Sequence, residues 1–595
     1  MRNAQESGDQ VRRALADFVH DGRHTANEGA RRAVAAVLVP HGSGPTHTER
    51  VHIAYEQLRG VIAELGTSRE IARDPDTVFS LFDWAAVSVP DLFPLLSGHF
   101  NLTVGALERL GRPCPEQDRA RAALDDGGHI GVFLLTELGG GSNTRELRTE
   151  ARWDPARRRF TLHTPKAAAV KFMPNVGDER VPRIILVAAR LMADGRDEGV
   201  FLFLSSLWER GGRPPTGMRV HRMPDTGFCP MDHALIHFDG AVVPEDGLLT
   251  GGIAHFDEQG RFHSSLASLR DRYHHTIEPL RTGRVALARG AVAAARAGLW
   301  LTVAYAHRRR TAGGVLMIDR DNVRIPLTLA ASRLYAVTAL GNRARAALAD
   351  PAVPPRDSSL LAMLAKPLLS ETALSVLQQC RERLGAQGMF RANMITDYLG
   401  ITQGVITAEG DNQVLRVAYG RALASEGTSP LPQPPGEAPV WLRLLDRRAR
   451  VLLDTDALRS GARAVALAEA TATAWAAHAL TEEGRRRQGR AALILRDLAQ
   501  LYGIDQVLAH ADWYTAHDLL DASTARGLTQ TEDGLLDGLA RLLPVLTEAF
   551  GITPDLVPSA FVARDYLSAW TGITPWHRER PSAPSTGSSA APDTE

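Results

Sequence analysis

The sequence predicts a mainly α protein with a central β-domain. The expected order is an N-terminal α domain, a middle β-barrel, an α-bundle and a C-terminal α-helical extension. Three observations carry this. A chain of 595 residues is too long for one simple core, so several domains are expected. Over most of the chain apolar residues recur every three or four positions, the helical period. Between about residues 126 and 250 that period gives way to short runs rich in β-branched and aromatic residues, cut by Gly, Pro and Asp.

Residues 1–125 contain "VRRALADFV", "TERVHIAYEQLRGVIAEL" and "TVFSLFDWAAV", each with helical apolar spacing. Residues 126–250 contain "GVFLLTEL", "RFTLHTP", "RIILVAARL", "GVFLFLSSL" and "HALIHFDGAVVP", which predict a compact antiparallel sheet. Residues 251–425 return to long helices and predict a central bundle; the clearest run is "TGRVALARGAVAAARAGLWLTVAYAHRRR". Residues 426–440 fall within "SEGTSPLPQPPGEAPVW", where proline and glycine at that density predict a linker. Residues 441–579 read as a further helical domain, and the low-complexity 580–595 as a disordered tail.

Apolar residues make up 44% and charged residues 23%, which is ordinary for a globular protein, and the formal net charge is zero. The balance argues against a nucleic-acid partner, which a basic excess would favour. Cys114, Cys229 and Cys380 are far apart and odd in number, so neither a disulfide framework nor a metal-ligand spacing is expected. That cysteine usage predicts a reducing, cytoplasmic location. The N-terminus has no apolar core of a signal peptide, the final "APDTE" is not a peroxisomal address, and no membrane span is expected.

Several short stretches have the residue types of a functional site. In "ITQGVITAEGDNQVL", residues 401–415, Asp411 or Asn412 could cap the following helix. Capping does not account for Glu409, held beside a glycine in apolar company. "LLTELGGGSNTRELRTEARWD", 134–154, ends a strand in three glycines flanked by Thr136, Ser142 and Asn143. Such a turn either closes a hairpin or lets backbone amides approach a ligand. "PKAAAVKFMPNVG", 165–177, is an apolar strand holding two of the chain's three lysines, which are expected to snorkel to solvent. "YAHRRRTAGG", 305–314, places arginines at a helix C-terminus, where they suit the macrodipole or a phosphate. In "CRERLGAQGMF", 380–390, Gly385 and Gly388 end a helix or let backbone lie against a cofactor.

Taken in order, these motifs resemble the acyl-CoA oxidase branch of the acyl-CoA dehydrogenase superfamily over roughly residues 95–425. "YAHRRRTAGG" is similar to the family's Tyr-Ala-x-x-Arg-x-Thr-x-Gly helix end, "GAQGM" to its glycine turn, and "AEGDNQV" to its aromatic-Glu-Gly-Asp-Asn-x-Val segment. The resemblance implies an FAD-dependent oxidoreductase of fatty acid metabolism (β-oxidation). It makes Glu409 the base that takes the α-proton of an acyl-CoA, or of a carrier-bound acyl thioester, while the β-hydride leaves for the flavin and O2 reoxidises it to H2O2. Thr136 then matches the ring-bonding threonine and Ser142 a polar residue of the same loop. Asn175 stands where oxidases usually have glycine beside the flavin. Arg309 matches the arginine that meets the pyrophosphate of a neighbouring subunit's FAD, Gly385 and Gly388 the turn near that cofactor, and Asp411 and Asn412 the segment facing its adenosine end. A homodimer with shared FAD sites follows. Ala408 replaces the usual aromatic residue before the base, and Phe172 and Met173 replace tryptophans, which suggests an unusual thioester. The alternatives are a dehydrogenase that passes electrons to a flavoprotein, a flavin-dependent oxygenase, and a non-catalytic partner subunit.

Overall fold

The computed structural model describes residues 7–39, 44–208, 212–426, 438–453 and 460–573. Most of the expected linker and all of the expected tail lie outside the described residues. Strands run in chain order as β1 (Ile130–Leu134), β2 (Glu150–Asp154), β3 (Arg159–His163), β4 (Lys171–Asn175), β5 (Arg183–Ala193), β6 (Arg196–Leu207), β7 (Met218–Arg222), β8 (His233–Pro244), β9 (Leu248–Leu249), β10 (Ala254–Phe256) and β11 (Phe262–Ser264). Nine of them form one sheet in the order β4-β8-β3-β2-β5-β6-β9, with β1 on β5 and β7 on β8; β10 and β11 pair separately.

The sheet is mixed rather than antiparallel as predicted. β5 carries both β1 and β2 in parallel on one edge, β1 against Arg183–Val187 and β2 against Arg190–Met192. With 11 residues β5 is long enough to take two five-residue strands end to end. Sequence texture gives strand length but not the direction of a partner. The chain between β1 and β2, which includes the glycine turn, therefore leaves the sheet edge and returns to the same edge.

The helices surround one continuous apolar core that runs from Val11 to Val562. At its centre lies the helix Leu280–Ala306, packed on Pro75–Ser88, Asp321–Ala349 and Pro355–Arg383. Its small side chains let these neighbours approach closely, which is why a run so rich in alanine is buried on nearly every face. It ends at Ala306, earlier than the run of arginines suggested, because His307–Arg310 turn away toward a bridge with Leu316. Among the described residues one helix, Pro355–Arg383, is long and apolar enough to cross a membrane by length and composition. More than half of that apolar window is buried within the protein, against the central helices.

A buried polar network joins the N-terminal helices to the sheet. Arg183 donates to Asp232 (2.8 Å) and to the Tyr55 hydroxyl (2.9 Å), and Tyr55 donates to Asp232. Arg183 also stacks on the Tyr55 ring and is fully buried. Removing one partner of a buried ion pair leaves the other charge uncompensated. Asp232→Ala is therefore expected to destabilise the fold by about 3–5 kcal/mol, read as a lower midpoint in urea.

Candidate active site

Glu409 sits in a four-residue break between the helices Ile395–Thr407 and Asn412–Glu426. Ala408 leaves the first helix in an extended conformation, then Glu409 and Gly410 both take positive φ, 52° and 111°. Only glycine adopts such a φ freely, so the Glu409 conformation costs on the order of 1 kcal/mol or more and persists because its surroundings hold it. Two cations do so. Arg284 donates to the Glu409 carbonyl at 2.9 Å, and Lys366 donates to the carbonyls of Gly410 (2.6 Å) and Ile406 (3.1 Å). Asp411 accepts from the amides of Gln413 (2.9 Å) and Val414 (3.3 Å), so it caps the next helix.

The turn aims the Glu409 side chain at Gly283 on the central helix, and toward Ser97 and Asn101. Both polar residues lie on the π-helical segment Ser97–Val104, an i→i+5 arrangement frequent at functional sites. Ser97 donates to Oε1. Oε2 is buried and has no hydrogen-bond partner among the described residues, although the residue as a whole keeps some exposure. Burial raises the Glu409 carboxyl to about 7, opposed by the Ser97 bond, by Arg284 and Lys366, and by Asn101. A carboxylate so placed can accept a proton near neutral pH, and Oε2 is the atom with capacity to spare.

The glycine turn is organised by a residue that the sequence reading did not single out. Glu137 is buried and accepts from the amides of Arg148 and Thr149 (2.8 Å each), from the Thr149 hydroxyl (2.7 Å) and from Lys171 (3.2 Å). It closes the loop on itself and ties it to β4. Lys171 is fully buried in that pair and does not snorkel as expected; Lys166 is the exposed one. An apolar strand gave no hint of the acid across the sheet. Thr136 accepts from the Phe172 amide at 3.0 Å through its carbonyl, and Ser142 is exposed. Leu138 and Met173, 50% and 42% exposed, leave apolar surface beside Thr136. A flat heteroaromatic ring fits such a surface, apolar and edged with hydroxyl and amide groups.

Tyr273 links this loop to the Glu409 turn. Its hydroxyl is 2.5 Å from the Thr144 hydroxyl, and it lies in the field of Arg284, the residue that holds the Glu409 carbonyl.

The remaining candidates lie elsewhere. Asn175 is buried; its carbonyl accepts from Arg183 at 3.1 Å and its amide reaches Tyr55 at 3.5 Å, within the network between helices and sheet. Asn412 is buried too, donating to Ser370 and Glu371 at 3.0 Å each. Arg309 and Gly385 are exposed, and Gly388 is buried under a turn that exposes Met389 and Phe390. Within one chain the structure thus assembles Glu409 with Ser97, Asn101, Gly283, Arg284 and Lys366, and leaves Thr136 and Ser142 on the same glycine loop. It leaves Arg309, Gly385 and the Met389–Phe390 pair facing outward.

Residues 273–424 match the family "Acyl-CoA dehydrogenase, C-terminal domain". The chain is 28% identical over 311 residues to Acyl-coenzyme A oxidase 3, peroxisomal, of Arabidopsis thaliana, 50% of this chain and 45% of that protein. It is 26% identical over 308 residues to human Peroxisomal acyl-coenzyme A oxidase 3, 48% and 44%. The matched region thus spans about half the length of these curated relatives. Acyl-coA oxidase1 from Yarrowia lipolytica superposes with a TM-score of 0.83 at 17% identity, covering 98% of this chain and 95% of that one. Acyl-CoA oxidase-1 of Caenorhabditis elegans, solved with FAD and ATP, superposes with a TM-score of 0.79 at 15% identity, covering 98% and 96%. Residues 273–424 are thus similar to the acyl-CoA dehydrogenase C-terminal domain, and the fold is that of the solved acyl-CoA oxidases. The curated relatives that it matches are named acyl-CoA oxidases, and the likeness to the solved oxidases extends over its C-terminal helices. The expectation of a cytoplasmic location is overturned, because these relatives are peroxisomal by name.

Proposed function

We propose that the chain is an FAD-dependent acyl-thioester oxidase, with Glu409 as the base. The observation that carries this is the Glu409 carboxyl: buried, raised to about 7, and with one oxygen free of partners. Glu409 Oε2 takes the α-proton of the thioester, whose acidity is modest and needs a base held away from water. Ser97 steadies Oε1 so that Oε2 is the atom presented. FAD held there would supply the acceptor for the β-hydride and a route for the electron pair to O2, so that the products would be a trans-2-enoyl thioester and H2O2. Thr136 and Ser142 would hold the ring side of the cofactor, with Leu138 and Met173 excluding water there.

The same reading assigns Arg309, Gly385, Gly388, Asp411, Asn412 and Asn175 to the cofactor's surroundings in a homodimer. The outward-facing Arg309 and the exposed Met389 and Phe390, 55% and 53%, support a partner surface there. Arg309→Glu is expected to weaken FAD retention at least tenfold and to leave the Glu409 region intact, as measured by FAD release against dilution. A monomer with full FAD affinity would rule out sharing.

An anaerobic spectral titration with a panel of acyl-CoA and carrier-bound thioesters tests the function. The expected result is loss of the flavin absorbance with at least one thioester and rapid recovery when air is admitted. Recovery only with an added electron-carrier flavoprotein would mean a dehydrogenase, and no bleaching with any thioester would end the proposal. Because burial lifts Glu409 to about 7, the bleaching rate should rise with pH through about 7 and level off above it.

A further inference from the structure

Three lysines stand among 68 basic residues, and two of the three, Lys171 and Lys366, are fully buried. Lys171 is spent on Glu137. Lys366 has no carboxylate within salt-bridge distance among the described residues. Its ammonium instead bonds two carbonyls, Ile406 at 3.1 Å and Gly410 at 2.6 Å, which bracket Glu409 in the chain. Ile406 lies in the last turn of its helix, where carbonyls lack intrahelical donors. Gly410 follows the strained residue directly. One compact group with three donors thus bridges the two sides of the turn, a geometry that suits an ammonium better than a planar guanidinium.

We propose that Lys366 is a positioning residue for Glu409: it clamps the turn that aims the carboxylate and places a positive charge behind it that favours the ionised base. The inference rests on Glu409 being the base of the proposed reaction. The charged groups facing Glu409 are Arg284 from the central helix and Lys366 from the Pro355–Arg383 helix; those facing Lys366 are Glu409, Arg284, Asp411 and Glu371. Glu371 is taken up by Arg416 and Asn412, and Asp411 by its helix amides. Glu409 is therefore the facing carboxylate whose ionised form the clamp's charge, with that of Arg284, supports. Burial lowers Lys366 to about 7, and Glu409 opposes that shift. The two groups titrate as a coupled pair, each favouring the other's charged form.

The test uses the FAD-loaded full chain and the variants Lys366→Gln, Lys366→Met and Lys366→Arg. The buried carboxyl is followed by infrared titration, as the band that Glu409→Gln removes, so this readout needs no substrate. In Lys366→Gln and Lys366→Met its midpoint is expected to rise by about one pH unit, a tenfold change in proton affinity. With a thioester that bleaches the parent, Lys366→Gln should lose kcat at neutral pH and recover at alkaline pH, since its amide still donates to a carbonyl. Lys366→Met should lose kcat about tenfold or more at every pH, with KM little changed. An unmoved midpoint in a folded neutral variant overturns the electrostatic role. Lys366→Arg keeps the charge but cannot set both donors, so its midpoint should stay while kcat falls. Parent-level kcat in Lys366→Arg overturns the clamp even where the neutral variants fail to fold. If no thioester bleaches the parent, the proposed function fails, while the infrared midpoint still decides whether Lys366 controls Glu409.

Discussion

Glu409→Gln is expected to bind FAD as the parent does and to lose thioester-dependent bleaching by roughly 10²–10⁴-fold, the usual weight of a general base. The amide preserves volume and can still accept from Ser97, so the loss isolates proton removal from packing. Two measurements check it: stopped-flow absorbance without oxygen, and exchange of the substrate α-hydrogen with deuterated solvent. Parent-rate exchange in the variant would mean that another group takes the proton. The same substitution should act on stability in the opposite direction. The Glu409 carboxyl holds its proton more tightly folded than unfolded, at about 7 against the model-peptide 4.5. Between those values the folded state binds more protons, so the parent loses stability as pH rises, and above about 7 the whole cost is present. The variant carries no such cost. It should match the parent near pH 4 and exceed it at pH 8 by on the order of 2 kcal/mol, less whatever Lys366 and Arg284 lose with the anion. A base that weakens its own fold is the expected mark of a site kept for chemistry.

How much of this was legible from the chain depends on the range of the interaction. Helical spacing, strand texture and the glycine turn are local patterns, and they gave the order of helical and strand regions, though the central helix stops at Ala306 and two short strands, β10 and β11, fall in the span read as helical. Glu409 was visible because a carboxylate in apolar company lacks a local explanation, whereas Asp411 had one and proved to be the cap. What could not be read were partners distant in sequence. Ser97 lies 312 residues from Glu409, and nothing in "LLSGHF" marks one serine as facing a base. Arg284 was one arginine among many in a quoted helix. Glu137 was inside the quoted glycine motif, yet its role depends on Lys171, 34 residues on and across a strand pair. Lysine scarcity was the one usable signal for the buried cations: a chain that otherwise uses arginine must need a smaller, three-donor group where it keeps lysine. The direction of β1 and β2 was unreadable for another reason. An 11-residue β5 can accept partners either way, and the choice is made by where the loop must go.

Gly283→Ala should separate activity from stability more sharply than any change outside the base. A Cβ at this position would stand 2.1 and 2.2 Å from the two Glu409 carboxylate oxygens and 2.4 Å from the Asn101 amide nitrogen. All three are ends of movable side chains, so the fold can yield by swinging them aside. Alanine also favours a helix over glycine by up to about 1 kcal/mol, which offsets the crowding. The melting temperature should therefore change little. The carboxylate, however, must move by about 1 Å or more and give up the Ser97 bond, and a displacement of that size costs on the order of 10²-fold in rate. Gly290→Ala, two turns along the same helix, is the control: its Cβ would lie 2.3 Å from a Phe93 ring carbon in the packed core. That ring has nowhere to go, so Gly290→Ala should lower stability and leave the kinetics of the folded fraction near the parent's. If Gly283→Ala instead melts early and turns over normally, the carboxylate does not occupy the pocket that this glycine leaves open, and the placement of the Glu409 carboxylate against the central helix fails with it.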